Sequence, residues 1–281
     1  MKPDGLTRKW PVRQLRPGAK SRVVEDQLAV EEPLELRVGG RAIAVVMRTP
    51  GHDADLTAGF LLTEGVVHSA DDIYDILVCR DSDLRAAEGN VVDVVLPKRV
   101  RVDFDRLTRH VFSGSSCGLC GKATIAAVRQ HFPKVRRPLR VTAATLHQLP
   151  ARLAAALPAF QTTGGLHASA LFAADGTLLV AREDVGRHNA LDKVLGHSLR
   201  AGWLPLERHI LLVSGRLSFE IVQKALAARV SVVAGISAPS SLAAEFARAN
   251  AQTLVGFLRD DRLNVYAGRL ARSKVTRRNR R

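Results

Sequence analysis

Cysteine is scarce in this chain: three residues among 281, an odd number that cannot close a disulfide framework. Long apolar runs are missing as well. No stretch of eighteen apolar residues occurs, so no segment is expected to span a bilayer. Met1 to Arg22 lacks the continuous apolar core that a secretory signal requires, and the expected location is the cytoplasm. Acidic residues are outnumbered, 27 against 42 Lys and Arg, for a net charge of +15.

That charge is unevenly spread. The segment Arg269 to Arg281 holds seven basic residues and no acid, and without it the net charge falls to +8. A second basic cluster comprises Lys2, Arg8, Lys9, Arg13, Arg16, Lys20 and Arg22. Neither end shows apolar periodicity, so both read as disordered, solvated arms. No helix-turn-helix, zinc-finger or RNA-recognition pattern accompanies the charge, which argues against specific nucleic-acid binding.

The interior divides at a basic, proline-containing joint, residues 134–140. The expected layout is an arm at 1–22, an N-terminal α+β domain at 23–135, a C-terminal domain at 138–268 and a tail at 269–281. Leu34 to Val38 and Ala42 to Met47 flank Gly39-Gly40 and read as a hairpin. A helix from Asp53 to Thr63 follows and is expected to pack on it. Strands are expected at Ile73–Val78 and Asn90–Leu96, with a helix at Thr124–Gln130. Beyond the joint come a helix at Thr145–Ala156 and a hairpin, Ala168–Phe172 with Leu178–Arg182, across Ala174-Asp175-Gly176. Helices near 189–200, 219–228 and 240–249 then alternate with strands at 209–214, 230–234, 253–257 and 262–266. Such alternation implies an α/β layered sheet.

Cys79 follows Ile76-Leu77-Val78 and reads as a buried strand residue. Cys117 and Cys120 are different. They stand in Ser113-Gly114-Ser115-Ser116-Cys117-Gly118-Leu119-Cys120-Gly121-Lys122, where small residues leave both sulfurs unshielded. A helix starting near Cys120 or Gly121, together with Lys122, would favour thiolate, the nucleophilic form. Several readings stay open from the residues alone. A zinc site needs four ligands, and only His110 and His131 are near in sequence. A thioredoxin-type dithiol needs a preceding buried strand, which 109–113 does not resemble. A mobile sulfur-carrying loop accounts for the glycines, the exposure and the second thiol, which could release sulfur by forming a disulfide.

Further candidates form two groups, in which the run from Arg182 and the Ser214 and Ser237 loops stand where strands give way to helices. Gly164-Gly165-Leu166-His167 and the run Arg182 to Lys193, with Arg187, His188 and Lys193, form one group. Ser214-Gly215-Arg216 and the Ser237 loop form another. Glycine and serine loops before helix N-termini are natural seats for phosphate, although ordinary capping by serine looks similar.

Ser116 to Lys122, Gly164 to Ala168, Arg182 to Ala190 and Ser214 to Glu220, with Gly59 to Gly65, together resemble the FdhD family, the formate dehydrogenase accessory sulfurtransferases. The resemblance runs from about Val23 to Gly268 and implies a sulfur carrier between two partners. The donor would be a cysteine desulfurase. The acceptor would be the bis-molybdopterin guanine dinucleotide molybdenum cofactor, on its way to formate dehydrogenase, with a guanine nucleotide as its simple analogue. It further implies that Cys117 carries the persulfide with Cys120 as partner, that Phe257, Leu258, Arg259, Asp260, Asp261 and Arg262 contact the cofactor, and that the protein is a homodimer with no permanent metal. The C-terminal half also looks like a cytidine-deaminase-type layered fold. Its zinc signature is missing, since His188-Asn189-Ala190 and Ser214 to Ser218 replace the metal-binding motifs, and the pocket is read as a site for a nucleotide-like ligand. The alternatives are a non-covalent cofactor chaperone and a zinc-stabilised module.

Overall fold

The computed structural model describes residues 5–79, 89–108 and 132–272. Cys117 and Cys120, the helix expected at 124–130 and the tail beyond Arg272 lie outside them.

The first element corrects the reading of the N-terminal arm. β1 (Thr7–Gln14) pairs antiparallel with β2 (Arg22–Ala29) in a two-stranded ribbon. Its apolar residues, Trp10 and Val12 on β1 and Val24 and Leu28 on β2, alternate with cations that mask the strand period in the sequence. Gly39 and Gly40, both at positive φ, turn β3 (Glu32–Val38) into β4 (Arg41–Arg48). With β5 (Asp75–Cys79) and β6 (Val91–Val95) these make a four-stranded sheet of order β4-β3-β6-β5.

α1 (Asp53–Thr63) lies between this sheet and the C-terminal half, and α2 (Phe104–Thr108) packs on β4, with Arg41 over the Phe104 ring. Past the joint come α3 (Ala143–His147), α4 (Leu149–Ala156) and α5 (Pro158–Thr163). The single helix expected over 145–156 is therefore two. Pro150 stands at the start of α4, where a residue without an N–H can begin a helix but not continue one. The remaining order is β7 (His167–Ala173), β8 (Leu178–Asp184), α6 (Arg187–Arg200), β9 (His209–Val213), α7 (Phe219–Ala227), β10 (Val232–Gly235), α8 (Ser241–Ala249), β11 (Thr253–Gly256) and β12 (Asn264–Ala267).

These last strands form a mixed six-stranded sheet, β12-β11-β10-β9-β7-β8, with β9, β10 and β11 parallel. Alternation gives it two apolar faces. Leu171, Leu211, Val233 and Leu254 join a cluster that also holds Leu34, Leu36, Leu56, Leu61, Leu191 and Val222. Phe172, Ile210, Leu212, Val232 and Val255 join Leu146, Leu149 and Leu153 on the other face. The chain is therefore an α/β layered structure, and its two halves share one of these cores. The tightest seam in it joins α1 to α6. A Cβ on Gly59 would fall 1.9 Å from the Asp192 carbonyl oxygen, and one on Gly196 1.8 Å from that of Asp55. Only glycine lets two helix backbones approach so closely. α1, expected to rest on the hairpin, is thus clamped to a helix of the other half.

Candidate functional site at the carboxyl end of the sheet

Register brings one end of the six-stranded sheet together. His167 of β7 faces Asp184 of β8, Val213 of β9 faces Gly235 of β10, and Ala234 faces Val255 of β11. The carboxyl ends of β8 to β11 and the amino ends of α6, α7 and α8 therefore share one side of the molecule. Crevices at such ends are where open α/β sheets collect ligands.

The loops there are stitched to one another. Ser214 Oγ accepts from the Ala168 amide at 2.9 Å, and the Leu217 amide donates to the Ala238 carbonyl at 3.0 Å. The Phe257 amide donates to the Ser237 carbonyl at 3.1 Å, and Arg259 Nη1 to the Ile236 carbonyl at 2.6 Å. Phe257 adopts φ 52, a left-handed conformation costly for a side chain with a Cβ. It opens the segment Leu258 to Arg262, which with Pro150 and Ile236 lines a cavity of about 620 Å³. Leu258 is buried in the core, while Arg259, Asp260, Asp261 and Arg262 are exposed.

On β9 the neighbouring group is cationic. A Cβ on Gly215 would lie 3.4 Å from His167 Nδ1 and 3.6 Å from Arg187 Cδ, so these residues meet around one glycine. Arg216 is exposed beside them. Burial, reinforced by Arg187, His188 and Arg216, pulls the His167 imidazole below its ordinary value near 6.5, against an opposing pull from Asp184. Two strand spacings, about 10 Å, separate β9 from β11 and give the scale of the distance between this group and the cavity.

Two of the expected ligand residues turn inward. Lys193 is 1% exposed, and its ammonium meets Asp184 at 2.7 Å, the Thr49 carbonyl at 2.8 Å and the Glu183 carbonyl at 3.4 Å. Its charge is paired with Asp184 and braces the site's frame, while Lys193 also borders a second cavity, with His52, Arg182 and Glu183. His188 is nearly buried, with Nε2 3.0 Å from Glu220 Oε2. One helical turn along both helices, Asp192 meets Lys224 at 2.7 Å, and Thr63 of α1 joins them. Burial works against the Lys224 charge, but Asp192, Glu64 and Glu220 outweigh it and raise its pKa.

Sequence reasoning passed over Asp184, the anchor of the group. It is fully buried and accepts from the amides of Thr49 (3.1 Å) and Gly186 (2.8 Å) and from Asn189 Nδ2 (3.0 Å), besides Lys193. Its place between a strand and a helix start was the available signal. Glu220 was also passed over, and its spacing from Lys224 matches that of His188 from Asp192.

The chemistry of these groups suits an anionic ligand. Arg187, Arg216, Arg259 and Arg262 supply guanidinium groups, which grip phosphate oxygens in pairs. Ser218 Oγ, at the cap of α7, is buried with no hydrogen-bond partner among the described residues, so a polar atom there awaits one. Also among the described residues, no group of three or more His, Cys, Asp or Glu is arranged to hold a metal, and no helix is long and apolar enough to cross a membrane.

The chain resumes after the cysteine segment at the far end of the same sheet. The Val135 amide donates to the Asn250 carbonyl (3.3 Å), the Arg136 amide to Glu207 (2.8 Å) and the Leu139 amide to Ser231 Oγ (2.7 Å), all near the amino ends of β9 to β11.

Comparison with known proteins gives the family and the fold. The sulfur carrier protein FdhD of Mycolicibacterium paratuberculosis is 51% identical over 245 residues, 86% of this chain and 90% of that one. Its namesake from Streptomyces coelicolor is 49% identical over 267 residues, 94% of each. A crystal structure of a candidate formate dehydrogenase accessory protein from Desulfotalea psychrophila shares the fold, with TM-score 0.73 and 24% identity over 94% of this chain and 97% of that one. Residues 29–272, which include both cysteines of the Cys-x-x-Cys pair, match the FdhD/NarQ family, and the chain belongs to it.

Proposed function

We propose that this chain is a sulfur carrier that loads Cys117 from a cysteine desulfurase and delivers the sulfur to the bis-molybdopterin guanine dinucleotide molybdenum cofactor destined for formate dehydrogenase. The observation that carries the reading is the cationic sheet end, where His167, Arg187 and Arg216 stand about two strands from a cavity edged by Arg259 and Arg262. An acceptor with two pyrophosphates and two guanines needs such a surface. The names of the relatives support the sulfur chemistry.

In the loading step the Cys117 thiolate attacks the outer sulfur of the donor persulfide. A new S–S bond forms on Cys117, the donor's S–S bond breaks, and the donor leaves as thiolate. In delivery the Cys120 thiolate attacks Cys117 Sγ and expels hydrosulfide toward the acceptor. The Cys117–Cys120 disulfide left behind is reset by a dithiol reductant. The cofactor is substrate here. The chain's task is to hold its phosphates through Arg187, Arg216, Arg259 and Arg262, while Asp184 and Lys193 keep the α6 start in place.

The nine residues from Thr108 to Cys117 can span at most about 30 Å. β9 is about 17 Å long, so the far anchorage of residues 135–139 does not by itself keep sulfur from the cations. Homodimerisation offers a second route, from one copy's cysteine to the other copy's cations.

The test is mass spectrometry of the protein after incubation with a cysteine desulfurase and L-cysteine. A gain of one sulfur atom on Cys117, lost in Cys117→Ala, is expected. No adduct on an intact chain would end the covalent reading. If Cys117→Ala still activates formate dehydrogenase, a non-covalent chaperone replaces it. Stoichiometric zinc that disappears in Cys120→Ala would point instead to a zinc-stabilised module.

A further inference from the structure

The β1–β2 ribbon holds none of the residues assigned to this chemistry, and all of it but Ala29 precedes the residues 29–272 that match the family. Directly opposed residues share a face, so register sets Trp10 beside Asp26, Val12 beside Val24 and Arg8 beside Leu28 on one side. That side carries an apolar row of Trp10, Val12, Val24 and Leu28. Trp10 is 51% exposed and Leu28 42%, and Val12 and Val24 are only partly covered. A two-stranded sheet is marginal in water by itself. The base of the ribbon touches the body near Gly165 and α5, with Ala29 Cβ as the nearest atom to a Cβ built on that glycine.

Charge surrounds the row. Arg8 and Arg22 flank it on the same side, Arg16 and Lys20 stand in the turn, and Lys9, Arg13 and Glu25 project from the opposite side; all are exposed, as is Asp26 beside Trp10. Lys9 pairs with Glu25 at 2.7 Å, and Arg22 Nε donates to Gln14 at 2.9 Å, so much of the excess positive charge is unmatched. Pro11 in β1 lacks the N–H that strand addition would use, which favours docking on the face over docking on that edge.

We propose that this face docks a protein partner whose surface is apolar at its centre and rimmed by Asp and Glu. Tryptophan and arginine dominate the energetics of protein interfaces, and a central apolar strip inside a charged rim is interface anatomy. A nucleic-acid duplex offers phosphates but no apolar cover for four such residues. The rim of cations steers an acidic partner into place. The choice of probes rests on the sulfur-carrier reading; the surface does not.

The experiment uses the full chain and two variants. The first combines Arg8→Glu with Arg22→Glu, and the second adds Trp10→Ser. Affinity is measured for a purified cysteine desulfurase, for purified formate dehydrogenase and for a duplex DNA, across a salt series. Cys117 is also loaded directly with a low-molecular-weight persulfide. Expected is a loss of at least about tenfold in affinity for one of the two proteins, larger in the triple variant, with a flatter salt dependence and unchanged direct loading. The docking face is overturned if both proteins bind the variants as they bind the parent, or if DNA is the only affinity lost. If direct loading fails in the parent chain, the sulfur-carrier reading falls, while the affinity difference still decides the surface.

Discussion

Lys193 and Arg48 are 1% and 2% exposed and hold Asp184 and Asp53 at 2.7 and 2.9 Å, whereas Arg216 and Arg262 stand in solvent with no ion pair among the described residues. The same kinds of charge thus serve opposite ends. A buried cation facing a carboxylate fixes the frame, because removing either partner strands the other away from water. An exposed cation at the mouth of a cavity contributes little to folding and is available to a ligand. The contrast divides these basic residues into anchors and contacts, which their positions in the sequence do not.

The sharpest way to break that division is Lys193→Met. It leaves Asp184 buried without its charge partner and is expected to lower unfolding free energy by about 3–5 kcal/mol in urea denaturation. A loss below about 1 kcal/mol would show that Lys193 is no anchor. Next comes the seam that carries the frame. Gly196→Ala places a Cβ against the Asp55 carbonyl, and overpacking of this kind costs about 1–3 kcal/mol. A melting temperature equal to the parent's would mean that α1 and α6 are free to separate.

The exposed set is expected to behave the other way. Arg216→Ala and Arg262→Ala should each leave stability within about 0.5 kcal/mol. The pair together should weaken GDP binding by about tenfold or more in calorimetry. Loss of folding with no loss of binding would reverse the assignment. The smallest effect concerns pH. The His167 pKa is depressed in the fold by burial and by neighbouring cations, so the unfolded chain takes up this proton first and the contribution to stability declines as pH falls below about 6.5. NMR titration should find the His167 midpoint under 6.5 in the free protein and higher with GDP bound. A midpoint at or above 6.5 without ligand would remove the cations from its surroundings.

Much of this architecture was legible because local signals and tertiary structure agree. Gly39-Gly40 between alternating apolar residues marks its hairpin, and Asp53 to Thr63 is a helix over the very residues whose pattern implies one. The clustering of Arg187, His167 and Arg216 also follows from strand order, since Arg187 and Arg216 follow the carboxyl ends of β8 and β9 and His167 opens the antiparallel β7 between them. What stayed hidden depends on contacts remote in sequence. Lys193 is drawn inward by Thr49, 144 positions away, and nothing near Lys193 announces it. The ribbon escaped notice because cations on both faces of β1 and β2 obscure a period of two, and only the pairing of Thr7 with Ala29 reveals it. Conversely, the chemistry of Cys117 and Cys120 is read from sequence and kinship, as both lie outside the described residues.

The glycine seam has a consequence for biosynthesis. α1 leaves the ribosome more than a hundred residues before α6, the helix it is shaped to meet. At 5–20 residues per second, the apolar surface of the N-terminal half waits on the order of ten seconds for its cover. During that interval the uncovered surface is open to aggregation, and substitutions at Gly59 or Gly196 would register first as a falling yield of soluble protein.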